Sequence, residues 1–256
     1  MENNNSNDWI TCLPPDTELQ RYLTSIKNNY LFSNKQYLNE ENVTEDIESI
    51  KCPFLSILIR TQGKREDGLR EALLCVLAQT YTDYEIILIA HKADKKGKEI
   101  IREIIDDQQE EFKEKIRYIE IDDGTRTKPL NVGFSLARGN YISVFDDDDI
   151  LFDRWAECFY ELSKTDYGRI LHTYAFSQDW VVVGEKSYRA ICAPKNIYCT
   201  DFDLERQLIN NKCPLMTLAF PMYPFKQLGI IFDEKLNVME DWDYFMRLSL
   251  ICGVSD

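Results

Sequence analysis

The sequence predicts an α/β fold with a doubly wound, mostly parallel central sheet and a small antiparallel portion in its second half. Short apolar runs recur along the middle of the chain, and amphipathic segments of helical length separate them, which is the pattern of consecutive βαβ units. Hydrophobic residues make up 44% and charged residues 29% of the 256 residues, as is usual for a globular protein. The alternation weakens after residue 150, which predicts the antiparallel portion.

The first fifty residues differ from the rest of the chain. They are rich in asparagine and acidic residues, and residues 1–16 are expected to form a flexible tail. Apolar residues at near-helical spacing between positions 17 and 38 predict a short helix. We therefore divide the chain into an N-terminal tail with a short helical appendage, residues 1–50, and one domain, residues 51–256.

The first half of the domain carries the strand–helix alternation. Four apolar runs have the length of buried parallel strands: residues 54–59, 85–90, 116–121 and 141–145. Three segments between them place apolar residues on one helical face: residues 69–77, 95–115 and 130–138. Gly139 follows the third of these segments and is expected to end it.

The second half of the domain is less regular. Alternating residues within 169–193 predict two or three strands in antiparallel pairing. The predicted helices of this half are residues 153–162, 203–211, 224–229 and 240–251.

The chain is acidic: Asp and Glu total 44, Lys and Arg total 30, and the formal net charge is −14. Such a charge lacks the basic footprint of a nucleic-acid-binding protein and gives no general attraction to anionic lipid. No apolar stretch reaches the roughly 18 residues that a membrane helix needs, and the N-terminus does not resemble a signal peptide. The cysteines form no C-x-x-C pair, and several of them, such as Cys75, lie inside apolar runs, so we expect reduced, buried thiols and a cytoplasmic protein.

The most informative segment is residues 146–149, four consecutive aspartates that directly follow a predicted strand. Neighbouring carboxylates about 4 Å apart repel by about 4 kcal/mol at an effective dielectric constant near 20, so a bound cation would stabilise such a turn. Mg²⁺ binds carboxylate and phosphate oxygens, and open α/β sheets bind ligands beyond the C-terminal ends of their strands. The segment predicts a metal–diphosphate site or, alternatively, a solvated acidic loop with one aspartate capping the next helix.

Two other segments carry charges suited to the same chemistry. Arg126 and Lys128 lie at the start of a predicted helix, whose N-terminus adds partial positive charge for an anionic ligand. Glu240 and Asp241 open the last predicted helix, where one carboxylate could act as a general base. The alternative for this acidic pair is a helix start stabilised by capping and by the helix dipole.

In order along the chain, these segments resemble the family-2 glycosyltransferases, which have the GT-A fold. The resemblance begins with the first strand and its turn at residues 60–62, and continues through Val-Leu-Ala-Gln-Thr-Tyr at 76–81 to the four aspartates. It ends with Glu-Asp-Trp-Asp at residues 240–243. No single motif is specific, and the strength of the resemblance lies in the ordered set.

The resemblance implies an inverting, metal-dependent transfer of a sugar, of the hexosyltransferase type, from a nucleotide-diphosphate-sugar donor to an acceptor hydroxyl. Asp241 would be the general base with Glu240 beside it, and Trp242 would either bind the acceptor or pack in the core. Asp148, together with Asp146, would bind Mn²⁺ or Mg²⁺. The implied donor-binding residues are Arg60, Thr61, Gln62, His91, Arg126, Lys128, Asp146 and Asp147.

The chain departs from the family pattern after the second strand. Two aspartates and a glycine are usual there, whereas residues 89–94 read Ile-Ala-His-Lys-Ala-Asp. His91 or Asp94 would replace the usual acidic contact to the base, so the implied donor is a UDP-, dTDP- or GDP-sugar. The implied acceptor is a saccharide or a lipid-linked molecule, which would allow peripheral membrane association. The chain ends soon after Asp241, as expected of a domain truncated on its acceptor side.

Two other functions fit parts of the pattern. A non-catalytic nucleotide-sugar-binding or scaffold module would account for the altered contact to the base. A haloacid-dehalogenase-type phosphohydrolase also carries aspartates after an apolar strand, although its motif opens the domain, whereas βαβ units precede it here. Enzymatic turnover would exclude the scaffold, and release of inorganic phosphate would indicate the phosphohydrolase.

Overall fold

The computed structural model describes residues 52–183, 187–198 and 201–256. The helix predicted within residues 17–38 and the N-terminal tail lie outside the described residues. The predicted boundary between residues 50 and 51 also lies there, so the division of the chain into an appendage and one domain stays a prediction.

Nine strands are described, and seven of them form one sheet. In chain order the strands are β1 (Leu55–Thr61), β2 (Tyr84–His91), β3 (Ile116–Ile121), β4 (Tyr141–Asp146), β5 (Ile170–His172), β6 (Trp180–Val183), β7 (Ser187–Ala190), β8 (Leu218–Pro221) and β9 (Val254–Ser255). The spatial order of the sheet is β3-β2-β1-β4-β8-β5-β9, and β6 and β7 form a separate antiparallel hairpin.

Helices connect these strands and cover both faces of the sheet. They are α1 (Glu66–Leu77), α2 (Lys95–Asp106), α3 (Glu110–Lys113), α4 (Lys128–Leu136), α5 (Trp155–Thr165), α6 (Leu204–Ile209), α7 (Tyr223–Lys226) and α8 (Glu240–Cys252). A single 3₁₀ turn, Leu215–Thr217, directly precedes β8.

The sheet confirms the predicted fold class. β3, β2, β1 and β4 are parallel, β8 runs antiparallel to both of its neighbours, and β5 therefore runs in the direction of β4. The chain winds outward from β1 to β2 and β3, and then crosses back to place β4 on the other side of β1. Such a switch in winding direction opens a crevice at the C-terminal ends of the two central strands, which here are β1 and β4.

Apolar side chains on both faces of the sheet form the core. Ile57 and Ile59 of β1 face a layer made by α1, α2 and α5. Leu58 faces the opposite layer, where Phe134 of α4 and Tyr244 of α8 pack with residues of the second core cluster. Burial on both faces explains why the central strands are continuous apolar runs rather than alternating ones.

The structure corrects several predicted boundaries. The helix predicted over residues 95–115 is two helices, because Gln109 adopts an extended backbone conformation between α2 and α3. Gly139 does not end α4, which stops at Leu136. Gly139 is instead required by packing, because a Cβ atom there would lie 2.7 Å from the backbone nitrogen of Ser56. β8 and β9 were not predicted, since strands this short have no periodicity of their own.

Candidate active site

Arg60 and Asp146 meet at the crevice between β1 and β4. They are register partners on the two parallel strands, and the guanidinium donates from Nε to Oδ1 at 3.0 Å and from Nη2 to Oδ2 at 2.7 Å. Burial alone would lower the pKa of Arg60, but Asp146 outweighs it, with further contributions from Glu240 and Asp241, so the pKa is raised. Arg60 therefore stays charged beside three carboxylates.

Asp147 fixes the backbone of the acidic turn rather than facing solvent. The side chain is buried, and its Oδ2 accepts a 2.6 Å hydrogen bond from the hydroxyl of Thr61. That hydroxyl in turn accepts the backbone N–H of Gly63 at 3.0 Å. Burial raises the pKa of Asp147, although Thr61 and Arg65 oppose this effect. Thr61 and Asp147 thus join the turn after β1 to the turn after β4.

Arg65, which no sequence motif indicated, neutralises part of the negative charge of Asp147 and Asp148. It precedes α1, and its guanidinium pairs with Asp147 through Nη2 and with Asp148 Oδ2 through Nη1, the latter at 2.5 Å. The Asp148 side chain is 53% exposed. Burial and the neighbouring Asp148 and Asp146 raise the pKa of Asp149 to about 7. The only sequence signal for Arg65 was that four adjacent aspartates need more than one counter-charge.

The start of α8 lies close to Arg126 and Arg60. Glu240 is only 1% exposed, and its Oε1 lies 2.6 Å from Nε of Arg126. The two charged groups form an ion pair without a hydrogen bond, since neither carboxylate oxygen of Glu240 accepts one from the described residues. The backbone carbonyl of Arg126 accepts a 3.2 Å hydrogen bond from Arg60. The turn after β1, the acidic turn, the segment before α4 and the start of α8 therefore meet around Arg60 and Arg126.

Asp241 follows in the first turn of α8 and is half-buried. The residue before this acidic pair, Met239, has a left-handed backbone with φ 63° and ψ 17°. A non-glycine residue in this conformation is strained, and such strain is concentrated at functional sites. The backbone at Met239 sets the direction in which the chain enters α8. The first turn also carries Asp243, so stabilisation by the helix dipole applies to these residues as well.

Four predicted site residues take no part in the hydrogen bonds and ion pairs described above. Lys128 pairs with Asp123 at 2.6 Å rather than with the acidic turn, and Gln62 is exposed. His91 ends β2 with Nε2 3.2 Å from the carbonyl oxygen of Asp123, and burial lowers its pKa. Trp242 is half-buried, and its indole N–H donates to the carbonyl of Gln207 at 2.9 Å.

Asp94, the other acidic candidate after the second strand, caps a helix. Its Oδ1 accepts the backbone N–H of Gly97 at 2.7 Å at the start of α2. This bond satisfies one of the free N–H groups of a helix start. Asp94 therefore has a structural partner, and His91 is the candidate that closes β2 at the crevice.

The carboxylates suit a metal ion that shares its coordination with a substrate. Within the described residues, no group of three or more His, Cys, Asp or Glu side chains is placed to hold a metal ion. Asp146 is engaged by Arg60 and Asp147 is buried, which leaves Asp148 as the exposed carboxylate of the turn. Mg²⁺ in nucleotide-binding enzymes commonly uses one or two carboxylates, substrate phosphates and water. The carboxylate oxygens of the acidic turn are suitable ligands for such an ion.

The described residues contain no helix long and apolar enough to cross a membrane. Their six cysteines are all free thiols, of which Cys213 and Cys252 are buried. Cys52 and Cys158 are exposed, so the apolar runs around the cysteines did not predict burial at every position.

Comparison with known proteins places these features in a family. The family model described as Glycosyl transferase family 2 matches residues 56–216. An uncharacterized glycosyltransferase of Rickettsia prowazekii is 25% identical over 215 residues, which cover 81% of this chain and 62% of that protein. The chain therefore spans less than two thirds of the length of this relative.

Two solved structures share the fold. Staphylococcus aureus TarS, residues 1–349, in complex with UDP-GlcNAc superposes with a TM-score of 0.58 at 17% identity, over 77% of this chain and 54% of that one. The mannosyltransferase PcManGT of Pyrobaculum calidifontis, in complex with GDP-Man and Mn²⁺, superposes with a TM-score of 0.55 at 12% identity, over 92% of this chain and 65% of that one.

Proposed function

Because the chain belongs to glycosyl transferase family 2, we propose that it transfers a sugar, with inversion, from a nucleotide-diphosphate-sugar to an acceptor hydroxyl. The observation that carries this proposal is that two clusters of acidic residues, the acidic turn and the Glu240–Asp241 pair, lie near Arg60 at the β1–β4 crevice. Arg60 binds Asp146 of the acidic turn and also donates to the carbonyl of Arg126, whose guanidinium approaches Glu240 at the start of α8. A transferase of this type needs a donor side and a base side at one crevice.

The acidic turn forms the donor side. Asp148 would hold Mn²⁺ or Mg²⁺, which would supply Lewis-acid stabilisation of the charge on the leaving diphosphate. Asp146 keeps Arg60 in place at the nucleotide side, and Thr61 and Asp147 hold the two turns together. The side chain of Arg126 is more than half exposed, and its charge would add to the positive potential at the diphosphate. TarS and PcManGT were solved with UDP-GlcNAc and GDP-Man, which supports a UDP- or GDP-sugar among the donors that we propose, with a dTDP-sugar as the third.

Asp241 forms the base side. Its carboxylate would take the proton of the acceptor hydroxyl as that oxygen bonds to the anomeric carbon. The bond from that carbon to the diphosphate breaks, and the nucleotide diphosphate leaves with the electron pair. Attack from the face opposite the leaving group inverts the anomeric centre. Glu240 acts through Arg126, to which its buried carboxylate is paired. The acceptor is a saccharide or lipid-linked hydroxyl, with Trp242 at its edge.

A thermal-shift panel of UDP, GDP, dTDP and CDP, each with and without Mn²⁺, tests this function. A ligand at 100 times its Kd that binds only the folded state adds about 2.7 kcal/mol of stability. We expect a manganese-dependent shift with at least one nucleotide. Absence of any shift, or shifts that ignore Mn²⁺, would contradict the donor site.

Asp148→Ala is the matched variant for the same panel. It removes the exposed carboxylate of the acidic turn, so the manganese-dependent part of the shift should disappear. Asp153→Ala removes an equal charge from an exposed position five residues further along the chain and should behave as the unmodified protein. Equal shifts in both variants would contradict the metal assignment.

A non-catalytic nucleotide-sugar-binding module is the second candidate. The specific observation in its favour lies after β2, where Asp94 caps α2 and leaves His91 in place of an acidic contact to the base. Such a module would show the nucleotide shift without turnover. Release of free nucleotide diphosphate that depends on an acceptor would exclude it, and release of inorganic phosphate would indicate a phosphohydrolase instead.

A further inference from the structure

We propose that Arg65 is a displaceable counter-ion of Asp148, which a divalent cation must remove in order to bind. This inference rests on the proposed function and deepens it, because it concerns the same carboxylate. Arg65 is then a positioning residue of the donor site. It holds the acidic turn together before the donor arrives, and afterwards its released nitrogen faces the diphosphate.

The distribution of counter-charges in the acidic turn supports the displacement of Arg65 from Asp148 by a cation. Asp146 is bound by Arg60 through two nitrogens, and Asp147 receives both the Thr61 hydroxyl and Arg65. Asp148 has one basic partner among the described residues, and that partner is Arg65. The oxygen that Arg65 contacts belongs to the carboxylate with the greatest access to solvent and hence to a metal ion.

The two arginines differ in how firmly they are held. The side chain of Arg60 is 11% exposed and also donates to the carbonyl of Arg126. The side chain of Arg65 is 41% exposed and offers one nitrogen to each carboxylate. Partly exposed ion pairs contribute little net stability, so Arg65 can leave Asp148 far more easily than Arg60 can leave Asp146.

The backbone of the acidic turn cannot shift to make room for a cation in place of a movement of the Arg65 side chain. A Cβ atom at Gly68 in α1 would lie 2.5 Å from the carbonyl oxygen of Asp147, so the helix packs directly on the turn. A metal ion at Asp148 therefore has to displace the Arg65 side chain rather than shift the turn. Arg65 keeps its contact with Asp147, and its other nitrogen becomes available to phosphate oxygens, which guanidinium groups bind well.

The test measures Mn²⁺ binding without nucleotide, by the electron paramagnetic resonance signal of free Mn²⁺. Arg65→Ala should bind Mn²⁺ about 2- to 5-fold more tightly than the unmodified chain, the range expected for loss of a partly exposed ion pair. The same variant should bind UDP or GDP with Mn²⁺ about tenfold more weakly, because a charged donor to phosphate is lost. Calorimetry measures this second effect.

Arg70→Ala is the matched control. Arg70 lies in α1, has a side chain that is 39% exposed, and pairs with two acidic residues away from the crevice. It should change neither Mn²⁺ nor nucleotide affinity. Arg65→Gln keeps a hydrogen-bond donor for Asp147 while removing the charge, so it carries the same prediction if Arg65→Ala does not fold.

Unchanged or weaker Mn²⁺ binding in a folded Arg65 variant would overturn the inference while leaving the proposed function intact. Absence of Mn²⁺ binding without nucleotide, in both the unmodified chain and Arg65→Ala, would overturn the inference, and its absence with nucleotide as well would overturn both. Tighter Mn²⁺ binding in Arg65→Ala together with unchanged nucleotide affinity would retain the displacement of Arg65 and overturn its contact with the diphosphate.

Discussion

Arg60 joins the two sides of the crevice through its side chain. One edge of its guanidinium is bound by Asp146, and another nitrogen donates to the backbone of Arg126, which approaches Glu240. Because the group is buried and charged, removing either partner leaves a charge with incomplete compensation, which is costly in a protein interior.

Asp241→Asn is expected to keep donor binding and to slow transfer by about 10²- to 10⁴-fold, the usual contribution of a general base. The amide has the same shape but cannot accept the proton. Nucleotide affinity by calorimetry and transfer rate in an acceptor assay separate the two effects. Asp243→Asn is the control, because Asp243 lies in the same helical turn and pairs with Arg247 instead. Equal transfer rates in Asp241→Asn and the unmodified protein would refute the role of Asp241 as general base.

Glu85 gives a prediction about acid stability that is independent of the crevice. It is a buried carboxylate on β2 that accepts from the Ser56 hydroxyl at 2.7 Å, and from the backbone N–H and Nε of Arg138 at 2.6 and 2.8 Å. Burial alone would raise the pKa of Glu85, but these donors outweigh it and lower the pKa below its usual value of 4.5.

The sign of the pH effect follows from this lowered pKa. The unfolded chain takes up the proton first, so the contribution of Glu85 to stability is complete above about pH 4.5 and is lost as the pH falls through the folded pKa. Glu85→Gln should lose about 2 kcal/mol near pH 7 and show a flatter decline below pH 4.5 in urea unfolding. Glu71→Gln, at an exposed position, should keep the decline of the unmodified protein.

At the scale of elements, helix α1 packs directly on the backbone of the acidic turn. Glycine at position 68 allows this approach, since any Cβ there would meet the carbonyl of Asp147. Ala72 and Leu73, further along α1, anchor the helix in the core. The helix therefore cannot retreat from the turn without losing buried contacts.

Gly68→Ala tests this packing. In an unobstructed helix the change would stabilise the protein by about 1 kcal/mol, whereas an overpacked contact costs about 1–3 kcal/mol. We expect net destabilisation in urea unfolding together with weaker manganese-dependent nucleotide binding, because the turn must shift. Glu71→Ala, on the exposed face of the same helix, should alter neither. A stabilised Gly68→Ala with normal nucleotide binding would contradict the close contact.

The elements that the sequence predicted well are those whose pattern is decided by their own residues. β1, β2 and β4 are buried on both faces, so their apolar runs were visible without knowledge of their neighbours. β8 and β9 are short and take their strand character from pairing with β4 and β5. The break after α2 was missed because the apolar spacing continues past it to Phe112.

At the scale of the whole molecule, the topology made the general location of the site predictable. Aspartates after one central strand and Arg60 at the end of its neighbour must meet if the strands are parallel and adjacent. The partners of Arg65 and Lys128 could not be predicted, because each of these partly exposed cations lies near several carboxylates, and side-chain packing decides which one it contacts. The partner of Trp242, a backbone carbonyl of α6, depends equally on tertiary packing.

The order of recovery during refolding tests how the halves of the site come together. After dilution from urea, we expect nucleotide binding with Mn²⁺ to return with the slowest phase of sheet formation, and later than helical ellipticity. Stopped-flow fluorescence of a labelled nucleotide and far-ultraviolet circular dichroism measure the two events. Nucleotide binding that returned with the first helical signal would contradict this order.

The crossing from β3 back to β4 has a consequence for the timing of assembly. Arg60 and Asp146 are 86 positions apart, and closing such a separation costs chain entropy before any contact repays it. β1, β2 and β3 with their crossover helices involve shorter loops and can associate earlier. A nascent chain that still lacks β4 would thus have no complete crevice. The ability to bind a nucleotide would therefore indicate that β4 has joined the sheet during synthesis.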